Sequence, residues 1–349
     1  MKTALYRVAV ALSGGVDSAA AAVIIREQGH RVFGVTMRLT DAPVTPAAEV
    51  ASALGIEHHI FDLREMFRDV VIDAFVAEYL AGRTPNPCVV CNPRIKFGAL
   101  LQKALELGAE RFATGHYARV FYDSDSGRFL LARSLNPRKD QSYALYALKQ
   151  EQLSRLQLPL GTKTKEEARE IVRRRGVEIA GKESQEICFI PVGDYRTFLR
   201  DKAGGGIKPG RIIDHKGNVL GRHNGLPYYT VGQRRGLGLA AGYPLFVTAL
   251  DTARNELVVG PVDMLYSDGC MVGGMNFIPF DRLEKTITVS VKVRYAAKAK
   301  PAEISPAGND RVAVRFKTPE RAVAPGQAAV FYDGDVVVGG GTILYKDEG

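Results

Sequence analysis

The chain has 349 residues, 46% hydrophobic and 24% charged, which is the balance of globular proteins and enough length for two or three domains with cores of their own. Collagen-like, disordered and disulfide-framework classes are excluded, and no apolar run approaches the roughly 20 residues a bilayer span needs. Lys and Arg number 47 against 38 Asp and Glu, a formal charge of +9 that favours an anionic partner, nucleic acid ahead of phosphorylated metabolites.

The apolar stretch at 8–12 is too short for a signal peptide, and Asp17 interrupts its apolar continuation, so a first strand is expected over 7–12. An Ala-rich helix over 17–28 stops at Gly29, and a second strand runs over 31–39. A helix over 46–54, a strand over 58–63 and an amphipathic helix over 67–80 come after it. The segment GRTPNPCVVCN at 82–92 carries three residues that break regular structure in its first half, and a helix over 95–107 and a strand over 111–114 come next. This alternation predicts an α/β fold, a Rossmann-like parallel sheet with helices on both faces and ligands at the carboxyl ends of its strands. Beyond Leu199 glycine-rich sequence replaces helical periodicity, and from 285 to 345 period-two alternation dominates, as in TITVSVKVRY and DRVAVRF. The expected domains are 1–199, catalytic; 200–275, small and mixed; and 276–349, a β-barrel or sandwich of five or six strands. Four cysteines are too few for a secreted framework, and three lie in polar, loop-like sequence, which fits a reducing cytoplasm and reactive thiols.

Ser13-Gly14-Gly15-Val16-Asp17-Ser18 comes directly after a strand and opens a helix, so that backbone N–H groups and the helix dipole point at an anion. It lacks the Gly-Lys-Ser/Thr ending of a Walker A loop and resembles the SGGxDS signature of PP-loop ATP pyrophosphatases; an ordinary Gly-rich turn is the bland alternative. Cys88, Cys91 and the distant Cys188 form the second set, with Arg94 and Lys96 placed to lower a thiol pKa. Structural zinc and a thioredoxin-like pair are alternatives, although no second C-x-x-C exists and Cys270 is isolated. Further polar sets are Thr114-Gly115-His116-Tyr117, Lys139-Asp140-Gln141-Ser142 before an apolar helix, and YTVGQRRGLGL from 229, all suited to phosphates and unpaired bases. Asp140 can equally be a helix N-cap, Arg173, Arg174 and Arg175 a solvated helix end, and His58 and His59 strand residues.

Taken together, ALSGGVDS, TPNPCVVCNPRIKFG, ATGHYARV, KDQSYALY, ICFIP, YTVGQRRGLGL and VRY resemble the tRNA-specific 2-thiouridylases, in family order over nearly the whole chain. The resemblance implies an ATP-dependent tRNA-uridine 2-sulfurtransferase that forms AMP and diphosphate. ATP with Mg²⁺ would bind at Ala11, Leu12, Ser13, Gly14, Gly15, Val16, Asp17 and Ser18, with Met37 and Gly115 lining the pocket. Cys188 would carry a persulfide loaded by a sulfur-donor protein, and Cys91 would be the second catalytic cysteine, able to close a disulfide with it. Asn86, Pro87 and Cys88 match positions at the target base, and His116, Lys139, Asp140, Gln141, Arg294, Tyr295 and Gln327 match tRNA contacts. This chain departs from the family in three places. Cys88 stands where many members carry Asp, Glu183 and Glu186 flank the second cysteine where Asp and Gly are usual, and the segment 37–47 is short. With three cysteines, a 4Fe-4S cluster on Cys88, Cys91 and Cys188 is an alternative to the persulfide. Two other functions stay open at this level: a PP-loop enzyme activating a small-metabolite carbonyl, and a non-catalytic metal-binding RNA module.

Overall fold

The computed structural model describes residues 5–177, 179, 187–190, 195–240, 242–308 and 310–345. Glu183, Glu186 and Asn309 lie outside them.

Five parallel strands form the first sheet: β1 (Arg7–Ala11), β2 (Arg31–Arg38), β3 (His58–Asp62), β4 (Arg111–Ala113) and β7 (Leu156–Gln157), in the order β3-β2-β1-β4-β7. The chain therefore builds outward from β1 in one direction and then returns to its other side at β4. That reversal opens a crevice at the carboxyl ends of β1 and β4, where open α/β sheets hold ligands. Helix α1 (Val16–Glu27) lies close on the sheet because Ala19, Ala20, Ala21 and Ala22 present only small, fully buried side chains to it. Helix α2 (Thr45–Ala53) comes after β2.

Two of the expected helices are interrupted by wider turns. The one expected over 67–80 starts earlier, as α3 (Arg64–Phe67), a π-helical segment Arg68–Ile72, and α4 (Asp73–Leu80). The one expected from residue 95 begins at α5 (Pro87–Cys91), widens into a π-helix over Asn92–Leu100 and returns to α6 (Leu101–Glu106). Pro93 cannot donate the hydrogen bond an α-helix asks of it, which favours the wider register there. The apolar helix expected after residue 141 is a single 3₁₀ turn, Ser142–Leu145, with α7 (Gln150–Leu153) and α8 (Lys165–Arg174) later in the chain. Its residues are buried by tertiary contacts rather than held by helical ones.

Sequence periodicity leaves residues 118–133 unassigned, and the structure makes them a hairpin, β5 (Ala118–Asp123) and β6 (Arg128–Arg133). The hairpin leaves the parallel sheet and pairs through Ala132 with Val336 of the C-terminal sheet. After α9 (Tyr195–Lys202) comes a four-stranded sheet of β8 (Gly210–Asp214), β9 (Val219–His223), β10 (Phe246–Asp251) and β11 (Glu256–Gly260), in the order β10-β11-β8-β9. The C-terminal strands are β12 (Tyr266–Phe277), β13 (Ile287–Lys292), β14 (Lys300–Pro306), β15 (Arg311–Arg321), β16 (Ala328–Asp333) and β17 (Val336–Ile343). All their pairings are antiparallel, and β12 pairs with both β15 and β17, which closes a six-stranded barrel. β12 straddles residue 275 and pairs only within the barrel.

A single apolar cluster joins these parts. Phe33 and Phe112 of the parallel sheet, Leu131 of the hairpin, Tyr143 of the 3₁₀ turn, and Val330 and Tyr332 of the barrel belong to it, all buried. No helix among the described residues is long and apolar enough to cross a membrane.

Candidate active site

The loop after β1 is held by its own side chains. Ser18 Oγ accepts from the Ser13 backbone N–H at 3.1 Å and donates to the Gly15 carbonyl at 2.9 Å, tying the turn to the first turn of α1. Gly14 has φ +78°, and a Cβ there would stand 2.4 Å from Cβ of Pro46, so α2 closes one side of the loop only because residue 14 is glycine. Gly115, in the loop after β4, is as constrained: a Cβ would meet the Asp17 carbonyl carbon at 2.5 Å. The two loops thus touch across the crevice. Tyr117 donates its phenolic proton to Asp17 Oδ1 at 2.7 Å, and Lys165, the first residue of α8 and only 4% exposed, donates to the same oxygen at 2.8 Å.

A cleft of about 170 Å³ lies here. Ala11, Leu12, Ser13, Asp17, Ser18, Met37, Gly115 and His116 line it, together with Val35, Lys96, Leu100, Thr114 and Gln141. Gly14, Gly15 and Val16 complete the turn between these lining positions. One end is a helix N-terminus with free backbone donors, the natural seat of phosphates, and the apolar Val35, Met37 and Leu100 offer a surface for a flat ring.

The cysteine loop flanks this cleft. Asn86 caps α5 by accepting from the Cys88 backbone N–H at 3.1 Å, and Pro87 takes the first helical position, where no N–H is missed. The π-helix after α5 leaves carbonyls without their usual partners. Gln152 Nε2 donates to two of them, Pro93 at 2.9 Å and Phe97 at 2.8 Å, while its Oε1 accepts from the Lys149 N–H in a capping box. Hydrogen bonds spanning five residues bring Lys96 round to the side of Cys91, a position residue 95 would approach in an α-helix. Lys96 Nζ lies 3.3 Å from His116 Nε2, and His116 Nδ1 lies 2.7 Å from Thr114 Oγ1. Burial, reinforced by Lys96, holds His116 neutral, with its pKa well below the usual value. The ammonium then donates to Nε2 and the Nδ1 proton goes to Thr114.

Cys88, Cys91 and Cys188 are close enough to influence one another's charge, and all are free thiols. Their ionisation differs from the sequence expectation. Lys96 favours the thiolate at all three, but burial outweighs it: Cys91 is pushed up to about 12, and Cys88 and Cys188 are raised. Arg94 is exposed on the helix's other side and is not among the charges acting on them. Cys88 and Cys188 reach solvent at their edges, yet the protein packed around them removes enough water to disfavour charge.

The barrel supplies a third wall. Tyr295, 47% exposed, donates to the Asp140 carbonyl at 3.4 Å and lies near enough to Cys88 to feel its charge. Lys292 Nζ sits 5.5 Å and 5.3 Å from the ring centres of Tyr143 and Tyr295. Arg294 donates to the Arg321 carbonyl, and Gln327 to the Thr84 carbonyl at 2.7 Å, which fastens the barrel to the loop leading into Asn86. Asp140 is a turn organiser: its Oδ1 accepts from the N–H groups of Ser134 and Ser142, and Oδ2 accepts from the Ser142 hydroxyl. Lys139 stands beside it, and Gln141 Oε1 accepts from the Tyr117 N–H at 2.9 Å. Arg234 and Arg235 are exposed on a turn folded round Gln233, whereas Arg173 and Arg174 pair with Glu170 and Arg175 with Glu27.

Lys165, Gln152 and Lys292 are not among the residues singled out by motif. A lysine at the first position of α8, against the helix dipole, is the one sequence hint of a buried acidic partner. Asp17, with part of its carboxylate exposed at the cleft, fits an Mg²⁺ held jointly with nucleotide phosphates. The cysteines do not fit a cluster in the same way. Among the described residues no three His, Cys, Asp or Glu side chains converge as ligands of a metal ion.

The fold and cleft define a nucleotide-binding α/β domain with two β-domains after it. The family model described as tRNA methyl transferase HUP domain matches residues 6–192, the tRNA methyl transferase PRC-barrel domain 196–261, and the aminomethyltransferase beta-barrel domain 267–343. The tRNA-specific 2-thiouridylase MnmA of Desulforudis audaxviator is 50% identical over 336 residues, covering 96% of this chain and 98% of the relative. Its namesakes in Carboxydothermus hydrogenoformans and Moorella thermoacetica are 48% and 49% identical over 354 and 350 residues, covering 97% and 96% of this chain and 97% and 98% of theirs. The chain belongs to the tRNA-specific 2-thiouridylase family.

Proposed function

We propose that this protein carries out the ATP-dependent 2-thiolation of the wobble uridine of tRNA. The observation that carries the reading is that Lys96 lines the cleft beside the Ser13–Ser18 turn and is also the cation acting on three thiols. ATP would lie with its phosphates on backbone donors of the turn after Ser13 and its base toward Met37 and Gly115. Asp17 and the phosphates would hold Mg²⁺, which when bound would neutralise charge on the departing diphosphate.

The uridine C2 oxygen attacks the α-phosphorus. An O–P bond forms, the bond to the β-phosphate breaks, diphosphate leaves with the electron pair and the N3 proton is released. The outer sulfur of a Cys188 persulfide, loaded by a sulfur-donor protein, then attacks C2 and AMP leaves with its electron pair. Cys91 attacks the Cys188 sulfur, the Cys188–sulfur bond breaks, and its electrons pass to the sulfur left on C2. The resulting Cys91–Cys188 disulfide is reopened by a dithiol reductant. Asn86, Pro87 and Cys88 hold the base, with Tyr295 as a stacking wall, and Lys139, Arg294 and the exposed Arg234 and Arg235 face the tRNA backbone. His116, Asp140, Gln141 and Gln327 act from beneath that surface, since their polar atoms are engaged in holding it.

The test is nucleoside mass spectrometry of tRNA from a thiouridylase-null host that contains a sulfur-donor system and expresses this chain. 2-Thiouridine restored by the wild type and lost in Cys91→Ser and Cys188→Ser supports the reading. Its absence with intact wild-type protein overturns it.

A further inference from the structure

Lys96 stands where the two halves of the site meet. It lines the cleft beside Ala11, Asp17 and Gly115, and it is the cation that acts on Cys88, Cys91 and Cys188. A side chain that borders both must lie between the nucleotide and whatever enters from the cysteine loop. It is also positioned from two sides. The π-helix, with its carbonyls satisfied by Gln152, sets its origin, and His116 Nε2, 3.3 Å away, anchors the ammonium through a ring fixed by Thr114. A neutral imidazole accepts one N–H and leaves the charge uncompensated, with two further donors unspent on that contact.

The phosphates of a bound nucleotide are ordered by the same geometry. The turn at Ser13–Ser18 and the N-terminus of α1 take the terminal phosphates, and the apolar wall takes the base. The α-phosphate is then the group turned toward the cysteine loop. We propose that Lys96 is a catalytic residue that binds the α-phosphate and stabilises the charge that builds on it when the bond to diphosphate breaks and, later, when AMP departs. In both steps Lys96 keeps its proton and acts as a fixed positive charge, positioned before the reaction and needing no rearrangement. This rests on the nucleotide reading of the cleft, and it places at the reaction centre a residue to which the sequence assigns only an effect on thiol ionisation.

The experiment compares AMP with adenosine, two ligands that differ by the α-phosphate alone, by isothermal titration calorimetry on the full-length protein. Wild type should bind AMP at least about tenfold more tightly than adenosine, as expected of a charge-assisted contact. In Lys96→Met that preference should collapse to about twofold or less while adenosine affinity is kept, and Lys96→Arg, which preserves the cation, should recover most of it. Lys96→Gln, which keeps a polar stem, serves if the Met variant fails to fold. Single-turnover formation of AMP with tRNA should fall about a hundredfold in Lys96→Met. An unchanged AMP-to-adenosine ratio in Lys96→Met and Lys96→Gln overturns the role of Lys96 and leaves the nucleotide cleft standing. Failure of the wild type to bind either ligand overturns the nucleotide reading itself.

Discussion

Two donors from distant parts of the chain converge on one oxygen of Asp17, and their unequal burial predicts unequal consequences. Lys165 is almost wholly enclosed, whereas about a third of the Asp17 side chain meets solvent. Asp17→Ala strands a buried ammonium and should cost about 2 kcal/mol, while Lys165→Met leaves a carboxylate that water can still reach and should cost less than about 1 kcal/mol. Urea unfolding of the two variants checks that order, and an equal loss would mean that Lys165 finds compensation elsewhere. Stabilisation by ATP should also vanish in Asp17→Ala. Gly115→Ala tests the contact between the two loops: with Asp17 backbone 2.5 Å from the new Cβ, α1 must retreat from β4. The expected result is about 1–3 kcal/mol of destabilisation, read from urea midpoints, with weakened nucleotide binding. The motif made Asp17 visible, since a carboxylate after a Gly-rich turn is a local signal. Lys165 is 148 residues away, and no local pattern pairs the two.

The helix from α5 to α6 shows how an element can be right in type and wrong in register. Apolar spacing marks a helix after residue 95, but the π segment depends on Pro93 and on Gln152, which comes from another element. Gln152→Leu removes the donor to two carbonyls as well as the capping-box acceptor and should cost about 2 kcal/mol. Hydrogen exchange should rise at residues 92–100 more than in α1, and equal protection in the two helices would show that the π register holds without Gln152. The 3₁₀ turn at Ser142–Leu145 teaches the converse. Its sequence reads as an apolar helix because its residues are needed in the core, and Tyr143 reaches across to the barrel, donating to the Ala328 carbonyl at 2.8 Å.

Across the whole molecule, the hairpin β5–β6 ties the α/β domain to the barrel. Besides its pairing to β17, Arg128 donates to the Ile278 carbonyl at 2.8 Å and pairs with Asp281, and Arg119 pairs with Asp335. A chain ending at residue 265 would expose Leu131, Tyr143 and the open edge of β6, so it should aggregate on expression, whereas the full chain should unfold in a single calorimetric transition. Two well-separated transitions would contradict this coupling. Burial across the molecule also sets its alkaline limit. Tyr79, Tyr146 and Cys270 are pushed up to about 12 by burial, from ordinary values of 10, 10 and 9. Between pH 9 and 12 the folded state therefore holds more protons than the unfolded chain. Their contribution is complete below pH 9 and is lost as pH rises, by about 2 kcal/mol at pH 10, and Cys91, raised as far, adds about 1 kcal/mol to the loss that urea midpoints at pH 8 and 10 would reveal.

The sequence alone determined the alternation of strands and helices, the Gly-rich turn between β1 and α1, the family resemblance and the β-rich end, because each is written in short-range periodicity or in a contiguous motif. Tertiary structure alone decided that the cysteines favour their thiol forms, that Gln327 braces the fold, and that Lys96 borders both halves of the site. Those outcomes depend on burial and on partners tens to hundreds of residues away, and desolvation at Cys91 outweighs the very cation that its neighbouring sequence supplies.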